Sequence, residues 1–594
     1  MAGLLIVLFF TLAACRSDPE ENPGSAGSGR RGQVPVETPL PLEAPSSPKN
    51  PSQPNSPGSG GGVVDEIRSF TENGYPSSLL RALEIIRTRD LGSTEFGRVM
   101  NAINITLLKT IYPSIQAQLP AMDLPVTHAY SRILRDADKG IYTTPPQNSN
   151  DFLEYVLPFL AFYSGTGLKS EPAERFLSAL PDLEKAAQMN SDSALAGLFT
   201  GIAYEYGGRL ENAFAQYSQV WDRFPECYPA GLGLARVMEA QGREQDAIRF
   251  LSDLVVYFPD NLQVKRELAL AYYNSGNWSR AEPSVAEILQ RDSRDAEFVL
   301  MRAHILVEQG YFLQAQAPLD IYAAINPNNR LYLFLRARVQ AEGYHNRDAA
   351  LNYLRAILRN NDAQSDESLW FEASIYAVRL LAESSRQADQ AESRELLAKL
   401  LAVPSPPLEV YSLALDDAIR REVWTDARGY LALLLDGRRS IQDLLAAYAV
   451  EKGQGNNSAA LSYARELYER DRTNDDTVLA YISALIDTGR QDEAAKMIES
   501  RLSLMPAGIQ KSRYYFLRSR IRNNEELAMN DLRSSLFEDP RNLDALIAMF
   551  EVYHRRRDER RAVYYLKQAL ALAPDNSRLK RYELEYSAAL NNSF

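Results

Sequence analysis

Side chains that carry catalytic or metal-binding chemistry are few in this sequence and stand apart from one another. The chain has four histidines, which are His128, His304, His345 and His554. None stands with a second histidine, a cysteine or an acidic partner in a pattern typical of a metal site. Neither a glycine-rich phosphate loop nor a serine nucleophile elbow is present. We therefore predict that the protein is not an enzyme and binds no metal ion or cofactor.

The two cysteines occupy very different surroundings, and two thiols are too few for a disulfide framework. Cys227 has no histidine or basic cluster beside it, which is typical of a structural thiol. Cys15 instead follows the apolar run of residues 1–14. This run is shorter than the ~20 residues of a membrane-spanning helix, and it fits the hydrophobic core of a secretory signal.

The segment Leu12-Ala13-Ala14-Cys15 resembles the lipobox of bacterial lipoproteins. The resemblance implies that residues 1–15 are a lipoprotein signal peptide and that the Cys15 thiol carries the lipid anchor, with palmitate among its acyl chains. Arg16 follows instead of aspartate, which in that family implies the periplasmic face of the outer membrane. One departure is that no lysine or arginine precedes the apolar run, although secretory signals normally carry a positive amino end. A chance cysteine after an ordinary signal peptide is the alternative.

Residues 16–62 are dense in proline, glycine, serine and asparagine and poor in apolar side chains. Burial cannot offset the entropy of ordering such a stretch, so we predict a disordered tether. As a flexible coil it spans roughly 35–40 Å. We hypothesise that the tether holds a folded body away from a membrane surface so that it can reach a partner.

The middle of the chain repeats with a period of 34 residues. Five alanines share this interval, namely Ala213, Ala247, Ala281, Ala315 and Ala349. Five small residues lie twelve positions earlier, namely Gly201, Ala235, Ala269, Ala303 and Ala337. Paired small residues let two helices approach closely, so this period predicts stacked helix hairpins. Glycine five positions before the alanine, as at Gly208 and Gly242, fits a helix end with positive φ.

A second series follows at Ala460, Ala494, Ala528 and Ala562, also 34 residues apart. Large residues replace the first small one here, which predicts hairpins that are splayed or shifted by a residue. Asn523 and Arg557 stand where glycine would form the turn. Between the two series the period breaks, and Ala391 and Ala427 are the expected packing residues of two degenerate hairpins.

These offsets resemble the consensus of the tetratricopeptide repeat family, strongly over 194–361 and well over about 441–576. The resemblance implies an all-α, right-handed superhelical solenoid of antiparallel hairpins, with about 11 repeats and an irregular N-terminal helical region. We divide the chain into the signal, the tether, an irregular cap at 63–190, array 1 at 191–361, degenerate repeats at 362–440, and array 2 with a capping helix at 441–594. A domain boundary near 362–368 or 404–407 is the alternative, and 63–190 could instead be a specialised functional part.

The family binds partners on a concave face formed by the first helices of its hairpins. Carried onto this sequence, that face comprises Arg236, Glu239, Arg266, Tyr273, Glu297, His304, Glu308, Phe334, Arg338 and Glu342. A run of arginines near the carboxyl end predicts either a solvated turn or a site for an acidic partner or anionic lipid. This basic patch consists of Arg555, Arg556, Arg557, Arg560 and Arg561.

The function that these patterns favour is a membrane-anchored, extracytoplasmic scaffold for protein partners in bacterial envelope or outer-membrane assembly. The alternative is an accessory ligand-handling lipoprotein that partners a solute transporter. An envelope enzyme would require a polar pocket hidden in 63–190. The net charge of −12 disfavours nucleic acid as a partner.

Overall fold

The computed structural model describes residues 62–587, with gaps at 116–118, 120–123, 126–127, 147, 165–166, 360–366, 385 and 574–575. The predicted signal, Cys15 and residues 16–61 of the tether lie outside the described residues. Among the described residues, no helix combines the length and apolar character needed to cross a bilayer. The all-α fold of stacked helix hairpins is confirmed, and the chain divides into two units, Met1–Asn346 and Arg347–Phe594.

The first unit opens with an irregular helical region. Its helices are α1 (Val63–Asn73), α2 (Pro76–Thr88), α3 (Glu95–Ile111), α4 (Ala129–Asp138), α5 (Phe152–Val156), α6 (Ala173–Ser178) and α7 (Leu180–Met189). Two 3-10 segments, Leu91–Ser93 and Leu157–Phe162, interrupt them. The strands β1 (Tyr163–Ser164) and β2 (Gly167–Leu168) pair antiparallel, with Tyr163 opposite Leu168.

Regular hairpins follow, in which each helix packs against the next along the chain. They are α8 (Ala194–Tyr206) with α9 (Leu210–Arg223), α10 (Tyr228–Ala240) with α11 (Glu244–Tyr257), α12 (Leu262–Asn274) with α13 (Trp278–Arg291), and α14 (Ala296–Glu308) with α15 (Phe312–Ala323). Helix α16 (Arg330–Arg338) runs on into a π-helical turn, Val339–Gly343. The division between the units falls after Asn346, inside the fifth 34-residue period.

The second unit has the same alternation of paired helices. They are α17 (Arg347–Arg359), α18 (Glu367–Ala382), α19 (Gln387–Leu401), α20 (Leu408–Arg420), α21 (Trp424–Gly437), α22 (Ile441–Gly453), α23 (Asn457–Arg470), α24 (Asp475–Asp487), α25 (Gln491–Leu504), α26 (Ile509–Arg520), α27 (Glu525–Glu538), α28 (Leu543–Arg555), α29 (Glu559–Leu572) and α30 (Ser577–Glu585). Helix α30 packs on α29 at the end of the described chain.

Small residues set the helix spacing in the first unit, as the period predicts. The ring of Tyr217 on α9 lies between Gly201 on α8 and Gly233 on α10. A Cβ at either glycine would stand 2.5 Å from that ring. The Tyr217 hydroxyl donates a hydrogen bond to Glu205 Oε2 at 2.6 Å. One aromatic side chain therefore joins two consecutive hairpins, which only glycine on both sides permits.

The turns between paired helices need a left-handed residue. Gly208, Gly242, Gly276 and Gly310 supply it, with φ between 68° and 78°. Arg557 takes the same conformation at φ 55°. In the fifth period the left-handed residue is His345 rather than Gly343, because the π-helical turn extends the preceding helix.

The irregular region covers the outer side of the first regular hairpin. Helices α6 and α7 pack on α8, and Phe159 stacks on Phe199 of α8 with ring centroids 4.7 Å apart. The same region reaches the loops between hairpins, because Ser114 Oγ donates to Asn261 Oδ1 at 2.8 Å. Tyr112 donates to Cys227 Sγ at 3.3 Å, and burial raises the pKa of that thiol to about 11. These contacts fit a cap that shares its core with the repeats, and burial in that core keeps Cys227 protonated against the opposing effect of the Tyr112 hydrogen bond.

The second unit uses other small residues for close approach. Ser512 on α26 and Ser535 on α27 each donate to the backbone carbonyl of the other at 2.8 Å. In the degenerate stretch Ala427 is buried, as expected, and Glu422 forms the left-handed turn five residues earlier. The expectation for Ala391 was wrong. Its side chain is exposed, because the inward side of α19 carries Asp389 and Ser393 instead.

Candidate protein-binding surface

The predicted binding residues lie on the first helices of consecutive hairpins. Arg236 and Glu239 lie on α10, Arg266 and Tyr273 on α12, and the rest on α14, α16 and the π-helical turn. We call their common side of α8, α10, α12, α14 and α16 the first-helix face. The first helices α8 and α10, α10 and α12, and α14 and α16 are in contact, so side chains on this face can meet across repeats.

Arg236 is held between acidic residues of the helices on both sides. Its Nε and Nη2 donate to the two carboxylate oxygens of Glu205 at 2.7 and 2.9 Å. Its Nη1 lies 3.9 Å from Glu267 Oε1. Burial opposes the charge of Arg236, but the Glu205 carboxylate outweighs burial and raises the pKa of the guanidinium. The guanidinium is therefore a fixed positive link between α8, α10 and α12.

Glu239 lies on the same face but makes no ion pair with a described residue. Burial and the neighbouring charge of Glu267 raise the pKa of Glu239 to about 7, and Arg236 only partly opposes them. Burial likewise raises the pKa of Glu267. The carboxylates around Arg236 thus exceed what one guanidinium can neutralise. An added cation would be favoured here, because it would compensate charge that the fold leaves unpaired.

Arg266 repeats this pattern one hairpin further along. It bonds to Asp295, and its Nη2 donates to Glu297 Oε2 at 2.9 Å. Its guanidinium also lies 4.3 Å from the ring centroid of Phe298, in cation–π contact. Two of the predicted residues, Arg266 and Glu297, are therefore brought together as a pair.

The buried side chain of His304 belongs to a set of contacts that links the first helices α12, α14 and α16. The Tyr273 hydroxyl lies 2.5 Å from His304 Nδ1, and His304 Nε2 lies 3.6 Å from Glu308 Oε1. Glu308 also bonds to Arg338, which stands 3.5 Å from Glu342. The hydrogen bond from His304 and the charge of Arg338 outweigh burial and lower the pKa of Glu308. Glu308 was predicted as a surface residue, but the sequence pattern did not identify it as the acidic partner of His304.

The contacts between hairpins recur at almost one spacing. Glu205 with Arg236, Arg266 with Glu297, and Tyr273 with His304 are each 31 residues apart. Acids outnumber arginines along this line. The acids are Glu205, Glu239, Glu267, Asp295, Glu297, Glu308 and Glu342, and the arginines are Arg236, Arg266 and Arg338. Phe334 is buried on α16, so it belongs to the core more than to the surface.

The second unit has a comparable line that the sequence analysis did not identify. Lys452 Nζ donates to Ser483 Oγ at 2.7 Å and lies 3.3 Å from Asp487. Arg520 Nη2 donates to the same carboxylate at 2.6 Å. The signal was present in the sequence as opposite charges on first helices, spaced by 35 residues for Lys452 and Asp487 and by 33 residues for Asp487 and Arg520, each within one residue of the packing period.

The basic patch is split by its contacts. Arg556 donates to Glu525 and Glu526 of α27, both at 2.7 Å, and Arg555 lies 3.7 Å from Glu525. Arg557 forms the turn. Arg560 and Arg561 lie at the start of α29, beside Tyr564, at a shallow depression of about 490 Å³. The structure therefore pairs Arg555 and Arg556 with α27 and pairs Arg561 with Asp558 at 3.5 Å, whereas Arg560 makes no ion pair with a described residue.

Comparison with known proteins supports the repeat assignment. Residues 206–271 match the tetratricopeptide repeat family. The matched segment runs from the last residue of α8 to residue 271 in α12, so it contains Arg236, Glu239 and Glu267. No cluster of three or more metal-ligating side chains occurs among the described residues. No curated protein matches the sequence of the chain significantly.

Solved tetratricopeptide structures are similar to parts of the chain. YrrB, described as having an unusual peptide-binding site, is 18% identical over 32% of this chain and 96% of its own, with a TM-score of 0.28. PilF of Pseudomonas aeruginosa is 19% identical over 34% and 90%, at 0.30. Yeast Tom70 is 15% identical over 70% and 92%, at 0.31. At these scores none of them assigns a partner to this chain.

Proposed function

We propose that this protein is a scaffold whose first-helix face binds a basic segment of a protein partner. Tetratricopeptide hairpins generally bind proteins rather than catalyse reactions. The observation that carries the proposal is the excess of carboxylates around Arg236, with Glu239 left without an ion pair. A lysine or arginine of a partner would neutralise that excess. This charged surface favours a protein segment over the apolar ligand of a transporter accessory protein.

We further propose that the scaffold is a lipoprotein of the bacterial envelope, anchored through Cys15 on the periplasmic face of the outer membrane. The support is the lipobox-like segment and the proline-rich and glycine-rich stretch behind it. In this arrangement the tether lets the first-helix face reach partners that assemble at the membrane. The excess of negative charge would repel nucleic acid and anionic polymers from the same face.

Peptide binding tests the surface directly. We expect the full-length protein to bind a lysine-rich peptide more tightly than a glutamate-rich peptide of equal length, with affinity that falls as salt rises. The double variant Glu239→Gln with Glu297→Gln should weaken this binding by about tenfold, at about 0.7 kcal/mol for each lost partial ion pair. The matched control Glu469→Gln with Glu499→Gln removes two acids from second helices of the second unit and should bind as the parent does. Equal binding of both peptides would contradict the proposal.

Fractionation of cells tests the anchor separately. The natural protein should float with outer-membrane vesicles and incorporate labelled palmitate, and Cys15→Ser should do neither. Cross-linking and capture of both forms from native envelopes would then identify proteins that depend on the anchor. A Cys15→Ser protein that still incorporated palmitate would contradict the lipobox assignment without affecting the first-helix face.

A further inference from the structure

Two second helices of the second unit, α27 and α29, expose a surface that is both basic and aromatic. It comprises Arg533 and Phe537 on α27 and Arg560, Tyr564 and Lys567 on α29. Phe537 is 87% exposed and Tyr564 is 59% exposed, and the three cationic residues are exposed as well. We call this surface the basic aromatic face. It lies on second helices, whereas the surface proposed for peptide binding lies on first helices.

The repeat register places these residues on one side. Arg533 and Lys567 are separated by one 34-residue period, so they hold equivalent positions on consecutive second helices. The ring of Tyr565 lies 5.1 Å from that of Tyr564. Burial raises the pKa of Tyr565, and the charges of Arg533 and Arg561 oppose that rise, which puts both cations near one ring.

Positive charge on this face has little internal compensation. The sequence from 560 to 572 contains no acidic residue. On α27, Asp531 is buried and bonds to Arg518 at 2.6 Å and to Arg522 at 2.7 Å. Glu526 lies near Arg533, but its carboxylate accepts a hydrogen bond from Arg556 at 2.7 Å. The face therefore concentrates cations in a chain whose net charge is −12.

The apolar part of the face stands out from the surface instead of lining a groove. Phe537 is the most exposed large apolar side chain in the described part of the molecule. Exposure of such a ring to water is unfavourable. Because the ring protrudes, it does not form the wall of a groove that a peptide could enter. Aromatic rings beside arginine and lysine are typical of surfaces that lie at the level of lipid headgroups. The shallow depression beside Tyr564 is lined by one carboxylate, that of Asp558, and by two guanidinium groups, those of Arg560 and Arg561.

We propose that the basic aromatic face docks on an anionic phospholipid bilayer, with Phe537 and Tyr564 at the headgroup level and Arg533, Arg560 and Lys567 on lipid phosphates. This contact is made by the folded chain itself and needs no acyl anchor. It would orient the second unit on a membrane, which a flexible tether alone cannot do.

Vesicle sedimentation tests the proposal with the full-length chain carrying Cys15→Ser, so that no acyl group contributes. Vesicles of phosphatidylcholine with one quarter phosphatidylglycerol should bind the protein, and pure phosphatidylcholine vesicles should not. Arg533→Gln with Lys567→Gln should weaken partitioning by about twenty-five-fold, because each cation near an anionic surface contributes about a factor of five. The control Lys109→Gln with Arg249→Gln makes the same charge change at exposed positions of α3 and α11 in the first unit and should leave partitioning unchanged.

The contribution of the aromatic side chain is tested with a second pair of variants. Phe537→Ser should weaken partitioning by about tenfold, whereas Val256→Ser, at a 78% exposed position of the first unit, should have no effect. Circular dichroism should show unchanged helix content in all four variants. Equal losses in the test and control pairs would overturn the proposal. Binding to soluble polyglutamate without binding to the anionic vesicles would overturn it in favour of an acidic protein partner.

Discussion

Replacement of Glu239 by glutamine should stabilise the first unit near pH 8 and have little effect near pH 4. Burial and the charge of Glu267 raise the pKa of Glu239 from 4.5 to about 7. A carboxyl group with a raised folded-state pKa favours folding below its unfolded pKa, and this advantage is lost as pH rises through the folded value. Glutamine keeps the shape of the side chain and never carries the charge.

The size of the effect follows from the two pKa values. A group that titrates at 4.5 when unfolded and at about 7 when folded reduces the free energy of unfolding by about 3 kcal/mol above both values. The side chain is partly exposed, so screening by water reduces this figure. We expect Glu239→Gln to stabilise α10 and α12 by about 1–2 kcal/mol near pH 8.

Native-state hydrogen exchange is the suitable assay, because a chain of two units need not unfold in one step. Amide protons of α10 and α12 should be more protected in the variant near pH 8, by about one factor of ten, and equally protected near pH 4. Carbon-detected nuclear magnetic resonance of Glu239 would give its titration midpoint. A destabilised variant at the higher pH, or a gain that did not depend on pH, would refute the reasoning.

Other substitutions test the packing in each unit. Gly233→Ala would place a methyl group 2.5 Å from the Tyr217 ring and should cost about 1–3 kcal/mol, measured as a lower Tm. Gly429→Ala, also inside a helix, meets no atom within 4 Å and should instead gain about 0.5–1 kcal/mol, so equal effects would contradict the packing argument. Asp531→Asn should cost about 3 kcal/mol and speed exchange in α26 and α27, because it leaves two arginines without their buried partner. Asp476→Asn, which removes an exposed ion pair, should cost under about 1 kcal/mol, and a similar loss in both would refute the difference in burial.

The helix pairs could be predicted because small residues at a fixed period have few structural explanations. Ala213, Ala247, Ala281 and Ala315 are all fully buried where the period places them. Left-handed turns at the predicted glycines follow for the same reason, since positive φ is costly for other residues. Ala391 was misplaced because the period breaks there, and a single small residue outside a register does not show which way it points.

The polar contacts of the first-helix face could be predicted only in part. The resemblance selected Arg236, Arg266 and Arg338 as surface residues, but it gave no reason to expect that each would be paired within the fold. That pairing depends on the distance between neighbouring first helices, which the sequence does not state. The serine contacts between α26 and α27 could not be predicted from a period of alanine and glycine, because Ser512 and Ser535 occupy the close approach there.

The polar pairs spaced by 31 residues differ from one junction to the next, so one hairpin of the first unit cannot take the place of another. Deletion of residues 210–243 would remove one whole period and keep the remaining small residues in register. It would also set Leu270 where Arg236 had stood, so the Glu205 carboxylate would face an apolar side chain. Consensus repeats can be added or removed freely because every junction is alike. Here each junction has its own charge pair, so the number and order of the hairpins are specified by the same residues that form the proposed binding surface.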